Sequence, residues 1–142
     1  MRYMILVKAT ADSEAGVLPT ADGIAEMVDY HEELAKAGAL VDANGLMATS
    51  HGWRQKFEGG KRVVTDGPFT ESKELIAGFT IIQVATPQEA FDWFKRFPNP
   101  YYGADGEIEM RRIFELDDLG DSEGVERFRK LEEERKGGSV AG

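Results

Sequence analysis

Apolar residues open the chain as a continuous run, Met4-Ile5-Leu6-Val7 within Arg2 to Ala9, and do not alternate with polar ones. That pattern predicts a strand covered on both faces, in the middle of a sheet. After a polar loop the spacing changes to helical, with apolar positions at Ile24, Met27, Val28, His31, Leu34 and Ala35. A helix is expected from the N-cap Thr20 to Ala37, with Asp22 near its positive end, Lys36 near its negative end and Gly38 as its stop. A second strand is expected over 39–47, ending in the loop Ala48-Thr49-Ser50-His51-Gly52.

Two short β-type runs follow, Trp53 to Phe57 and Lys61 to Thr65, separated by Glu58-Gly59-Gly60. Paired glycines supply the positive φ of a tight hairpin turn, so this segment reads as a β-hairpin inserted before the main sheet resumes. Leu75 to Val84 carries the strongest strand signal of the chain. Thr86-Pro87-Gln88-Glu89 then opens a helix, with Thr86 as N-cap, Pro87 at the first helical position and Glu89 placed to close a capping box. That helix carries Ala90, Phe91, Trp93, Phe94 and Phe97 before Pro98-Asn99-Pro100 ends it. The Tyr101-Tyr102-Gly103 loop leads to a last strand, Glu107 to Leu116. Ser122 caps a charged helix over Glu123 to Lys136, whose narrow apolar stripe is Val125, Phe128 and Leu131; 137–142 is expected to fray.

The order β-α-β, hairpin, β-α-β specifies an α+β fold, a ferredoxin-like split βαβ with an inserted β-hairpin, followed by a C-terminal helical extension. Helices cover only one face of such a sheet. Packing two sheets face to face in a dimeric α/β barrel would cover the other, so a homodimer is expected. The expected division is one domain over 1–119 and a charged helix with a flexible tail over 120–142.

At 142 residues the chain is long enough to bury a core. Its formal charge of −9 disfavours nucleic acid or an anionic membrane surface as partner, because both are polyanions. A small molecule or a protein is the expected partner. Cysteine is absent, which excludes disulfides, a thiolate nucleophile and cysteine-ligated metal. The first residues lack the pattern of a signal peptide and no apolar run reaches bilayer-spanning length, so a cytoplasmic location is expected.

The most informative segment is Thr65-Asp66-Gly67-Pro68-Phe69-Thr70-Glu71-Ser72-Lys73-Glu74. Asp, Gly and Pro in succession specify a rigid turn, which also presents a carboxylate and a ring. With Asn44-Gly45-Leu46, Gly59-Gly60-Lys61, Gly78-Phe79 and Glu107-Ile108-Glu109-Met110-Arg111, it resembles the YCII-related proteins of the DGPF type over residues 1 to 119. The resemblance implies a dimeric α/β barrel. It also implies one of two roles, an enzyme with a His/Asp polar cleft or an accessory protein associated with extracytoplasmic-function sigma factors. Smaller relatives carry a histidine near the start of the first helix, where this chain has Leu18-Pro19-Thr20-Ala21-Asp22, so only Asp66 carries over by motif.

Candidate chemistry follows from these positions. Asp66 is a candidate general base, or else an Asx-type cap that locks the turn. His31 is a candidate acid–base partner to Asp66, or else a hydrogen-bonded core histidine. Phe69, Glu71, Lys73, Trp53 and Arg54 are candidate ligand-binding residues, Trp with Arg suiting an anionic or aromatic ligand. His51 is a loop histidine. The helix aromatics Phe91, Trp93, Phe94 and Phe97 suit core and subunit interface more than a cofactor box. No second histidine stands at i+3 or i+4 from His31 or His51, and no phosphate loop, nucleophile elbow or dinucleotide fingerprint is present; neither metal nor cofactor is expected. The expected function is small-molecule binding in a cleft near the DGPF turn, with cofactor-independent acid–base chemistry. The alternative is a non-catalytic regulatory module.

Overall fold

The computed structural model describes residues 1–70 and 74–139. Its elements are β1 (Arg2–Lys8), α1 (Ala11–Glu14), α2 (Ala21–Lys36), β2 (Leu40–Gly45), β3 (Trp53–Glu58), β4 (Lys61–Asp66), β5 (Ile76–Gln83), α3 (Pro87–Lys95), β6 (Ile108–Arg112) and α4 (Glu123–Ser139). Four strands form one sheet in the order β2-β5-β1-β6, with every neighbouring pair antiparallel, and β3 and β4 form a separate two-stranded sheet. This is the expected α+β, ferredoxin-like split βαβ with an inserted hairpin and a C-terminal helical extension. β1 and β5 are the two inner strands.

Thr20 and Thr86 cap the two main helices, Thr20 Oγ1 accepting from Gly23 N at 3.1 Å and Thr86 Oγ1 from Glu89 N at 3.2 Å. Glu89 reaches back one residue further than a capping box requires, accepting from the Ala85 N–H at 3.1 Å. Gly59 and Gly60 both have positive φ, 58° and 75°, which makes the hairpin turn tight.

The core lies where the sheet carries large side chains. Tyr3 stands opposite Ile82 and opposite Arg112, and over this end pack Tyr30 and Leu34 from α2 and Ala90 from α3. Tyr30 ties the two helices together: its hydroxyl donates to the Trp93 carbonyl at 2.7 Å, and its ring meets Trp93 and Phe97 edge-on with centroids 5.9 and 5.1 Å away. The helix stripe is therefore rotated from the expected one. Tyr30 points inward, while Ile24 and Val28 are 50% and 46% exposed.

Other boundaries shift for local reasons. The polar loop before α2 contains the short helix α1, started by a reciprocal Thr10/Ser13 capping box. The last strand stops at Arg112, and a 3₁₀ turn at Leu116–Leu119 takes its place. The C-terminal helix, with Val125 N donating to Ser122 Oγ at 3.2 Å, continues to Ser139, past the glycines expected to fray. Among the described residues no helix is long and apolar enough to cross a membrane.

Candidate functional site

The register of the sheet explains why a cavity forms. On the helix-facing side, Ile82 and Tyr3 are followed along the strands by the row Ala43, Thr80 and Ile5, and then by Gly45, Gly78 and Val7. Directly opposed residues in antiparallel strands share a face, so side-chain volume falls steadily toward that end of the sheet. Under α2 the small residues leave a cavity of about 950 Å³, within the range of small-molecule sites. Its walls include Met27, Val28 and His31 of α2, the segment around α1, and the 100–105 loop.

His31 projects onto the floor of this cavity. Its Nδ1 lies 2.7 Å from the Met27 carbonyl oxygen and its Nε2 lies 2.9 Å from Thr80 Oγ1. A carbonyl oxygen only accepts, so Nδ1 carries the hydrogen, and in the neutral ring Nε2 accepts from the Thr80 hydroxyl. The imidazole is fixed in one tautomer with its basic nitrogen toward the sheet. The rings of Tyr30 and Phe97 hold it edge-on, at centroid distances of 5.5 and 6.2 Å.

Two tyrosines close the far wall. The Tyr101 hydroxyl lies 2.7 Å from the Lys8 carbonyl and 2.6 Å from that of Glu107, which ties the 100–105 loop to the ends of β1 and β6. Tyr102 adopts φ 56°, a left-handed conformation rare outside glycine, and lays its ring against Gly23 in the first turn of α2. Burial pushes both phenols above the ordinary tyrosine range.

The DGPF turn forms a second cluster beside this cavity. Asp66 is the last residue of β4, opposite Trp53, and is exposed; its carboxylate makes no hydrogen bond to a described residue. The Gly67–Pro68 peptide is cis. The turn docks through its backbone: Gly67 N donates to Gly52 O at 3.0 Å, and Phe69 N donates to Thr49 Oγ1 at 2.9 Å. Thr49 is in turn held by Glu14, whose carboxylate accepts from the Thr49 N–H at 3.0 Å and from its hydroxyl at 2.5 Å. Arg54 stacks its guanidinium over the Phe69 ring, 4.1 Å from the centroid.

These positions separate the candidates named from the sequence. Trp53, Arg54, Asp66 and Phe69 gather at the base of the hairpin, while His31 stands in the cavity with His51 among the lining residues. The segment 48–52 is shared, its Ala48 and His51 facing the cavity and its Thr49 holding the turn. The structure does not bring His31 and Asp66 together: His31 lines the cavity and hydrogen-bonds Met27 and Thr80, while Asp66 does not line it. Glu71 and Lys73 lie outside the described residues. Among the described residues no cluster of three or more His, Asp or Glu side chains could hold a metal ion.

Thr80, Tyr102 and Glu14 were not legible as site residues. Thr80 had a faint signal, a hydroxyl on the same strand face as Gly78 and Ile82. Tyr102 and Glu14 had none, because each acts through a contact distant in sequence.

A split βαβ sheet with a helix-side cavity and a docked DGPF turn defines a ferredoxin-like α+β protein with a small-molecule-sized site. Residues 1–117 match the YCII-related domain, and the chain belongs to that family. A curated relative, an uncharacterized protein of Rhizobium meliloti (strain 1021), is 34% identical over 64 residues, which is 45% of this chain and 52% of that protein. The match thus spans about half the length of that relative. Among solved structures, 5-chloro-2-hydroxyhydroquinone dehydrochlorinase from Burkholderia phenoliruptrix AC1100, in complex with 2,5-dihydroxybenzoquinone, superposes with a TM-score of 0.44 at 16% identity. The superposition covers 80% of this chain and 94% of that one.

Proposed function

We propose that this chain binds a small, mainly apolar organic molecule carrying one polar group in the cavity beneath α2, and that His31 exchanges a proton with that group. The observation that carries the reading is the oriented imidazole. Met27 fixes the hydrogen on Nδ1, so Nε2 is the base, and Thr80 holds it in place until a ligand hydroxyl or acidic C–H competes for it. Walls that are apolar for the most part favour a ligand bound by shape and surface burial, with His31 setting its orientation among the polar residues of the rim such as Asn44 and His51. Asp66 and Phe69 act at one remove in this reading. The turn braces the 48–52 wall, while Trp53 and Arg54 offer a peripheral contact.

We further propose a homodimer formed through the open face of the sheet. Met4, Leu6, Phe79 and Ile81 are half-buried on that side, opposite to the helices, and a second sheet would cover them.

A metabolite library screened by thermal shift against wild type, His31→Gln and Asp66→Asn tests the site. A true cavity ligand stabilises wild type and Asp66→Asn and loses its effect with His31→Gln. A compound stabilising His31→Gln fully but not Asp66→Asn would move the site to the DGPF turn. If no compound stabilises any of the three while a protein partner is retained by Asp66→Asn, the non-catalytic regulatory reading replaces this one. Light scattering tests the dimer, and a stable monomer at micromolar concentration would remove it.

A further inference from the structure

One glycine on the cavity floor has no cause within the chain. Gly45 is the last residue of β2, directly opposite Gly78 of β5, and both line the cavity. Pairing continues past it, Leu46 N donating to Ala77 O at 2.8 Å. A glycine in a paired strand costs stability relative to alanine, so it marks a bulge, a positive φ or a place where something approaches the backbone closely. Gly78 has such a cause: a Cβ there would lie 3.1 Å from the Asn44 carbonyl oxygen, a backbone atom. Gly45 has none. Its φ lies outside the left-handed region, its register with β5 is regular from Asp42 onward, and a Cβ added to it would meet no heavy atom within 4 Å beyond its chain neighbours.

The space above Gly45 belongs to the cavity. The register puts Gly45 on the helix-facing side with Gly78 and Val7, two residues beyond the row of Ala43, Thr80 and Ile5. Two residues of strand span about 7 Å. His31 stands over Thr80, and the direction away from Gly45 is closed by the fully buried Ile82 and Leu34. A ligand bonded to His31 Nε2 therefore extends the other way, over Gly45 and Gly78. The roof runs in the same direction: His31, Met27 and Gly23 follow one another four residues apart on one side of α2, and the Tyr102 ring lies against Gly23. From His31 to Gly23 the helix rises about 12 Å. The cavity is thus a slot with His31 at one end, Tyr102 at the other and Gly45 beneath its middle.

With His31 as the polar contact, an assignment that rests on the function proposed above, we propose that the ligand is an elongated apolar molecule with its polar group at one end. Gly45 sets the length that the slot accepts. A side chain at this position would enter the slot about 7 Å from the polar group, where it stops a long body and leaves room for a short one.

Primary n-alkanols from pentanol to dodecanol probe the slot, each titrated into the full chain while the Thr80 amide is followed by NMR. In wild type the affinity should rise about fourfold per added methylene. In Gly45→Ala, Gly45→Val and Gly45→Leu that gain should stop at successively shorter chains, while the shortest alkanols bind as they do to wild type. Gly45→Ala should melt at or above the wild-type temperature, because its methyl meets no protein atom. His31→Gln should weaken every member by about tenfold, since all share the hydroxyl contact. If the Gly45 variants keep the wild-type gain to the same length, weaken short and long members equally, or melt lower as Gly45→Ala, the role of Gly45 is overturned. The reading of His31 then stands as long as His31→Gln still weakens binding. If no alkanol moves the Thr80 amide of wild type, or His31→Gln binds them as wild type does, that reading falls and the proposal with it.

Discussion

His31 Nε2 stands 2.9 Å from Thr80 Oγ1, joining the middle of α2 to the middle of β5 at the point where the core gives way to the cavity. Thr80 is 2% exposed, so its hydroxyl has little access to water and the imidazole supplies its partner. Replacing Thr80 by Val keeps the shape and leaves Nε2 unsatisfied. The expected cost is about 1–3 kcal/mol, read by urea unfolding. Thr80→Ser keeps the hydroxyl and should retain any ligand response lost by Thr80→Val. Equal behaviour of the two variants would mean that this hydrogen bond contributes neither stability nor orientation.

The DGPF turn requires glycine at its second position for a packing reason. A methyl group on Gly67 would lie 1.8 Å from the Thr49 carbonyl oxygen, a backbone atom that cannot swing aside. Gly67→Ala should cost about 1–3 kcal/mol and expose the Gly67 amide, otherwise bonded to Gly52, to faster hydrogen exchange. Gly59→Ala is the control. It has open space around it but a φ of 58°, so its cost of about 1–2 kcal/mol is conformational and leaves the Gly67 amide protected. Unchanged exchange at Gly67 in Gly67→Ala would mean that the turn is not locked onto the 48–52 segment.

Gly23→Ala separates the cavity from the fold. The new methyl would lie 1.6 Å from Tyr102 Cε1, but that ring can rotate away, and Ala is favoured over Gly in a helix by about 1 kcal/mol. The melting temperature should stay within about 4 °C of wild type, while stabilisation by a cavity ligand weakens because the Tyr102 wall has opened. Full retention of the ligand response would remove Tyr102 from the site.

Tyr30 makes stability depend on alkaline pH. Burial pushes its phenol from 10.0 up to about 12, the nearby Arg96 opposing and Glu33 reinforcing the shift. A group whose pKa is higher in the folded state stabilises the fold fully below its unfolded value. That contribution is lost as pH rises from 10.0 toward about 12. Tyr30→Phe should therefore flatten the alkaline limb of the stability curve and cost about 0.5–1.5 kcal/mol at neutral pH through loss of the bond to Trp93. An alkaline limb unchanged in Tyr30→Phe would assign the titration to other groups.

The sequence by itself determined the order and type of the main elements. Periodicity, caps and turn glycines are local: Thr20 and Thr86 start their helices, Gly59-Gly60 turns the hairpin, and the apolar run Met4 to Val7 belongs inside a sheet. The DGPF segment was equally legible as a mark of family. Only the tertiary structure decided where the site lies. The cavity exists because the register sets Gly45 and Gly78 beside Val7, and His31 is oriented because α2 sits over Thr80, 49 residues further along. Which side of α2 faces inward depended on Tyr30 finding Trp93 and Phe97, a contact across 63 residues in its hydrogen bond alone. Local patterns encode elements because their energies are local; a binding site is made from pairings that no single window of sequence contains.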